Sequence, residues 1–256
     1  MDQKLEKYLD EAFKPYGDFP ARADVKQELL SNLQEKLRDH QAQGLSEEEA
    51  YKRTVDSVGD ISEMMEHVLR DAPAAERRNL SGSNLPDTDL AGADLRQANF
   101  KGSALKQTDF TGAKLAGADL RGSDLKGARF DDADLAGAKL SGSNLQDTTY
   151  AGANLTNAEL KAAALKGVAF TGSTLAGTNF GQSDLTNAHF DGLVLDGVIF
   201  NSASLKQASF KGAVLRNVSF HHTAAKNAIF DGATMDKLTY ALLKSTGATL
   251  TDVTLV

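Results

Sequence analysis

Five histidines are the residues of this chain best suited to moving protons or holding a metal: His40, His67, His189, His221 and His222. Histidine titrates near neutral pH, so beside a nucleophile or a carboxylate it would support acid–base chemistry. The spacing assembles no such group. His189 precedes a large apolar position, His221 and His222 follow one, and no carboxylate pair stands at metal-ligand spacing. Serine and threonine are plentiful, but they recur at one inward position of a repeat, where a hydroxyl bonds backbone rather than attacking a substrate. Cysteine is absent, which removes thiol nucleophiles, thiolate metal sites and disulfides and fits a reducing compartment. No glycine-rich phosphate loop opens a helix. The expectation is a non-enzymatic protein with no catalytic residue, no cofactor and no metal.

The elements that would position any site are set by a period of five. Every fifth residue from Leu80 to Leu255 makes 36 positions, holding 21 Leu, 10 Phe, 2 Tyr and 1 Met, with only Ala225 and Ser245 small. From Ser83 to Val253, the residue two before each centre is Ala, Ser, Thr, Val or Leu, and neither column holds a charge. A period of five is neither the 3.6 of a helix nor the 2 of a strand, and a strict short repeat signals a solenoid. The position two after each centre holds 18 of the segment's 19 glycines, with Asn, Asp and Gln at many of the others. Those residues suit a tight corner at every pentad.

All twelve aromatic centres fall at multiples of ten. A coil of four pentads keeps them on two opposite walls, whereas an odd number of sides would spread them over every wall. The expected core is therefore Phe100, Phe110, Leu115, Leu120, Phe130, Leu135, Tyr150, Phe170, Phe190, Phe210 and Phe230, in about nine coils of twenty residues. The runs Ala-Asp-Leu-Arg-Gly, Ala-Asn-Leu-Thr-Asn and Ser-Asp-Leu-Lys-Gly resemble the pentapeptide-repeat family over about two-thirds of the chain. That resemblance implies a mainly β fold, a right-handed quadrilateral β-helix solenoid preceded here by a small N-terminal α-helical bundle.

Residues 1–72 read as that helical domain, 73–79 as a linker containing Pro73, and 80–256 as the β-helix. One helix should end before Pro15. A second spans Ala21–Gln43 with Val25, Leu29, Leu33 and Leu37 as its stripe. A third opens on the capping box Ser46–Glu49, with Tyr51, Val55 and Val58 inward, and a fourth covers Ile61–Leu69. The runs Leu-Glu-Lys-Tyr-Leu, Gly-Leu-Ser-Glu-Glu-Glu-Ala and Ser-Val-Gly-Asp resemble the bacterial HAAS, or permease-prefix, helical domain. This resemblance implies a signalling head and a protein partner such as a PadR-like transcriptional regulator.

Net charge is −7, of which the first 79 residues carry −6. The opening MDQKLEKYLDEAF lacks the apolar core of a secretory signal, and no run approaches the length of a bilayer span, so a soluble, cytoplasmic protein is expected. Lys106, Lys126, Lys166, Lys206 and Lys226 recur on one edge, read as a solvated basic edge. Aromatic residues outside the core are lacking in the repeat, which argues against nucleic acid as a partner. In the later coils the residue before the centre becomes Val194, Ile199, Val214 and Ile229, read as higher sheet propensity. The last coils are apolar at Leu238, Leu242, Leu243 and Val253, and with only Val256 after Leu255 the open end is expected to be buried in a homodimer; the alternative is a frayed last coil or a local helix at Lys237–Lys244 folding over the end. An interaction or scaffold protein is the expected function. A DNA-mimicking topoisomerase-binding protein conferring quinolone protection is the alternative, and it would need a far more negative repeat.

Overall fold

The computed structural model describes residues 2–14, 22–59 and 79–256. Helices α1 (Asp2–Phe13), α2 (Arg22–Ala42) and α3 (Glu47–Asp56) come first, and α2 touches both α1 and α3. α1 buries Leu5, Leu9 and Phe13, one face at a spacing of four. α2 buries Leu33 and Leu37, with Val25 and Leu29 half-buried on the same stripe. Ser46 caps α3, its hydroxyl accepting from the Glu49 N–H at 3.3 Å. Glu49 does not reach back to close the box; it pairs with Arg53, one turn on, at 3.4 Å.

The inward face of α3 is shifted from the one expected. Ala50 and Thr54 are buried, and Tyr51, Val55 and Val58 flank them. Burying Thr54 is tolerable because its hydroxyl donates to the Ala50 carbonyl at 2.7 Å and lies 3.2 Å from His40 Nδ1. The expected helix at Ile61–Leu69 and the linker lie outside the described residues.

From Asn79 the backbone winds as a parallel β-helix. Four ladders begin at Asn79, Asn84, Asp89 and Asp94, and each residue pairs with one twenty positions on, as in Asn79↔Asn99 and Asp94↔Lys114. In the third ladder Phe110 N–H donates to Arg129 O at 2.8 Å and Arg129 N–H to Thr108 O at 3.0 Å. The later coils of the fourth ladder lengthen into strands β1 (Val194–Asp196), β2 (Val214–Arg216), β3 (Thr234–Met235) and β4 (Thr254–Leu255), paired in that order. Val194 pairs with Val214, and Val214 with Thr234, so the strands appear where β-branched residues line the outside.

The corners explain the glycine column. The residue two after the centre has positive φ at every pentad from Gly82 to Gly232. Gly137 takes φ 64° and Asn157 takes 57°, so the turn needs a left-handed residue rather than glycine itself.

Inside, Phe100, Phe110, Leu115, Leu120, Phe130, Leu135, Tyr150, Phe170, Phe190, Phe210 and Phe230 are all wholly buried. Phe110, Phe130, Tyr150, Phe170, Phe190, Phe210 and Phe230 stack in one column at 4.6 to 5.3 Å between ring centroids. Phe180, Phe200 and Phe220 form a second column, meeting the first edge-on, as Phe200 does Phe210 at 89°. The small column supplies hydroxyls where the coils meet. Ser103, Ser123 and Ser143 each donate at 2.7 Å to the carbonyl 23 residues back, at Leu80, Phe100 and Leu120. These serines touch backbone only, which leaves no nucleophile inside the coils they join.

The repeat breaks once. Residues Lys237–Ser245 form a helix, α4, so Tyr240 and Ser245 are not wall centres as the period of five required. The corner positions of those two pentads hold Lys237 and Leu242, neither of which takes positive φ readily, and Leu238 and Leu243 are too large for the small column. Asp236 caps the helix instead, accepting from the N–H groups of Leu238 at 2.8 Å and Thr239 at 2.9 Å. The coil then resumes in register, with Phe230 N–H donating to Thr249 O at 2.9 Å.

Candidate interaction surface

A filled interior leaves the outside as the place where chemistry or binding can occur. At the C-terminal end, the first and second ladders stop at Ser219 and Ala224, while the third and fourth continue to Thr249 and Thr254. α4 replaces the two missing pentads. Leu243 is buried and Tyr240 packs on the core, so α4 lies against the last coils. Leu243 therefore belongs to the interior and drops out of the candidate dimer face. Val253 is half-buried.

What remains outside is concentrated there. Leu238 is 82 % exposed, Val256 74 %, Leu255 44 % and Leu242 39 %, and the other large exposed hydrophobic among the described residues is Val194. Apolar side chains gathered at one end of a molecule mark a contact surface more often than the same number scattered.

The lysine edge is less uniform than its spacing. Lys106 pairs with Asp124 at 3.2 Å and Lys126 with Asp147 at 3.7 Å, so two of the five are neutralised by neighbouring coils. Lys166, Lys206 and Lys226 make no ion pair among the described residues. Elsewhere carboxylates are tied locally: the Arg121 guanidinium, in two hydrogen bonds, holds the Asp119 carboxyl below the usual carboxylate range.

His221 and His222 are neighbours in the chain, His40 and His189 lie on other elements, and His67 lies outside the described residues. His189 Nδ1 lies 3.8 Å from Asp191. His221 Nδ1 lies 2.8 Å from Ser219 Oγ, the one serine–histidine contact among the described residues that resembles a catalytic pair. Ser219 already donates its only proton to Asn201 Oδ1 at 2.7 Å. His221 must then donate to Ser219, which leaves no base beside the hydroxyl. Among the described residues no three His, Asp or Glu gather as a metal site, and no helix is long and apolar enough to cross a membrane.

The model of the pentapeptide-repeat family matches eight copies, over residues 79–112, 108–147, 133–168, 163–201 and 195–232. The chain belongs to the pentapeptide-repeat family. Members of that family fold as right-handed β-helices and are generally non-enzymatic structural or interaction proteins. Comparison with curated protein sequences finds no match. Among solved structures, HetL of the cyanobacterium Nostoc sp. strain PCC 7120, involved in heterocyst differentiation regulation, is 23 % identical, with a TM-score of 0.38 over 77 % of this chain and 92 % of that one. QnrB1, a plasmid-mediated fluoroquinolone resistance protein, is 16 % identical, with a TM-score of 0.42 over 68 % and 91 %. A pentapeptide-repeat protein of the Arabidopsis thaliana thylakoid lumen is 34 % identical over 45 % of this chain and 74 % of that one, with a TM-score of 0.21. Scores this low carry no functional argument.

The helix α4 matches the local helix at Lys237–Lys244 that the sequence offered as an alternative to an open end. Tyr240 keeps the centre column aromatic, while the corner column carries the signal, since Lys237 and Leu242 follow a long run of glycine and small polar residues.

Proposed function

We propose that this pentapeptide-repeat protein works by protein–protein contact, as a non-enzymatic scaffold that pairs with a second copy through its C-terminal end. The observation carrying this reading is the cluster of exposed Leu238, Leu242, Leu255 and Val256 on and beside α4. In this account the coil is four-sided with about nine turns, a reading supported by the twenty-residue pairing, and residues 80–256 form it. Residues 1–72 form a HAAS-like head joined by 73–79, and the head engages a cytoplasmic protein partner, with a PadR-like regulator as the candidate class. Lys166, Lys206 and Lys226 serve as a solvated edge whose mutual repulsion water and salt screen.

The test is the mass of the full chain by light scattering. A dimer is expected, and Leu238→Asp with Leu242→Asp should give a monomer of unchanged circular dichroism. A wild-type monomer overturns the dimer. A pull-down with residues 1–72 addresses the head. A gyrase supercoiling assay with a fluoroquinolone separates the topoisomerase-binding alternative, since protection there would favour it over the scaffold.

A further inference from the structure

Two neighbouring ladders are interrupted within one coil of each other. In the third ladder, Arg129 pairs with Thr149 and Ala169 with His189, yet Thr149 and Ala169 do not pair. The bonds expected from Tyr150 N–H to Ala169 O, from Ala169 N–H to Thr148 O and from Asp147 N–H to Lys166 O are all missing. Their counterparts hold: Phe130 N–H donates to Thr149 O at 2.9 Å and Phe170 N–H to His189 O at 3.0 Å. In the fourth ladder no bond joins Ser173 or Leu175 to Val194, although Leu155 N–H donates to Thr174 O at 2.8 Å and Val214 N–H to Leu193 O at 2.9 Å. The first two ladders run unbroken past the same coils, with Leu160 N–H to Asn179 O, Phe180 N–H to Ile199 O, Leu145 N–H to Ala164 O and Leu165 N–H to Asp184 O at 2.8 to 2.9 Å.

The small column supplies a cause. Val168 stands in the third ladder where most neighbouring coils have alanine, and Leu193 in the fourth is the one leucine of that column within the regular coils. Bulk alone is tolerated, since Val198 sits over Thr178 with Ile199 N–H still bonded to Thr178 O at 3.0 Å. At the third ladder the further burden is Tyr150, whose hydroxyl is wholly buried beside the Thr148 hydroxyl and makes no hydrogen bond of good geometry. Thr148 beside it turns its own hydroxyl to Leu145 O at 2.7 Å rather than to the coil before. A cleft of about 460 Å³ opens here, lined by Thr148, Tyr150, Lys166, Val168 and Ala169 among others.

We infer that these two gaps form a hinge, about which the coils on either side bend by opening the third and fourth ladders while the first and second stay joined. Regions short of backbone bonds open at lower free energy than those around them, and a hinge needs its give confined to a few residues. The inference goes beyond the scaffold reading and does not depend on it.

Hydrogen exchange followed by NMR on the full chain is the first measurement. The amides of Tyr150, Ala169, Leu175 and Val194 should exchange at least about tenfold faster than those of Phe130, Phe170, Leu155 and Val214. Spin labels at Lys114 and Arg216, which straddle both gaps, should give a broader distance distribution than labels at Lys106 and Lys206 on the unbroken second ladder. Equal protection overturns the gaps, and equal widths overturn the hinge. Val168→Ala with Leu193→Ala, which restores the usual residue, should slow exchange at Tyr150 and Val194. Unchanged exchange in that folded variant would overturn the assigned cause.

Discussion

Phe210 and Phe230 stand twenty residues apart in the chain, yet their rings stack at 4.6 Å with planes 3° from parallel. The spacing matches the distance between neighbouring β-strands, so the ring column and the backbone ladder enforce one register. A slip of one residue would place a charged or corner residue inside, which is why the pentad is held so strictly.

Phe210→Ala should cost about 3–5 kcal/mol, because the ring is wholly buried and touches Phe190, Phe200 and Phe230. Leu238→Ala, at an exposed position, should stay within about 0.5 kcal/mol. Denaturant midpoints at constant slope measure both.

Ser123→Ala removes the hydrogen bond from the Ser123 hydroxyl to Phe100 O and leaves that side of the carbonyl without a partner. The expected loss is about 1–3 kcal/mol, and a similar value is expected for Ser143→Ala, since its bond to Leu120 O has the same length. A stability change below the error of thermal unfolding would remove the role given to these hydroxyls.

Gly137 turns a corner at φ 64° with open space where a Cβ would lie. Gly137→Val should cost about 1–3 kcal/mol from backbone strain alone. Gly137→Asn should be much milder, since asparagine already holds such a corner at Asn157.

Much of this architecture was legible because each pentad repeats the same physical demand: Leu or Phe inside, a small residue beside it, a left-handed corner after it. α4 was legible only as an alternative, a local helix at Lys237–Lys244, since Tyr240 satisfied the centre column while Lys237 and Leu242 failed the corner. The ladder gaps were not legible, because Val168 breaks the small column no more visibly than Val198, which fits. The ion pairs of the lysine edge were not legible for a different reason. Spacing along one column says nothing of Asp124 and Asp147, which reach Lys106 and Lys126 from the adjoining coils. Partner choice depends on surface positions that carry no repeat, and periodicity is silent there.

Asp236 links pH to the C-terminal end. Its carboxyl is held below the usual carboxylate range by the Thr239 hydroxyl first, and then by the N–H groups of Thr239 and Leu238. A depressed value means the stabilisation is complete above the ordinary 3.8 and is lost as pH falls through the lower folded value. α4 should therefore loosen only at strongly acid pH. Asp236→Asn, which still caps, should lack that acid dependence, and Asp236→Ala should cost about 1 kcal/mol at neutral pH. Thermal unfolding across the acid range checks all three.

The most direct test of the whole account is a set of nuclear Overhauser contacts between phenylalanine rings in a selectively labelled full chain. Strong cross-peaks are expected from Phe210 to Phe190, Phe200 and Phe230, with none to water. Missing contacts between Phe210 and Phe230, or rings that exchange magnetisation with solvent, would contradict a filled coil of twenty residues per turn.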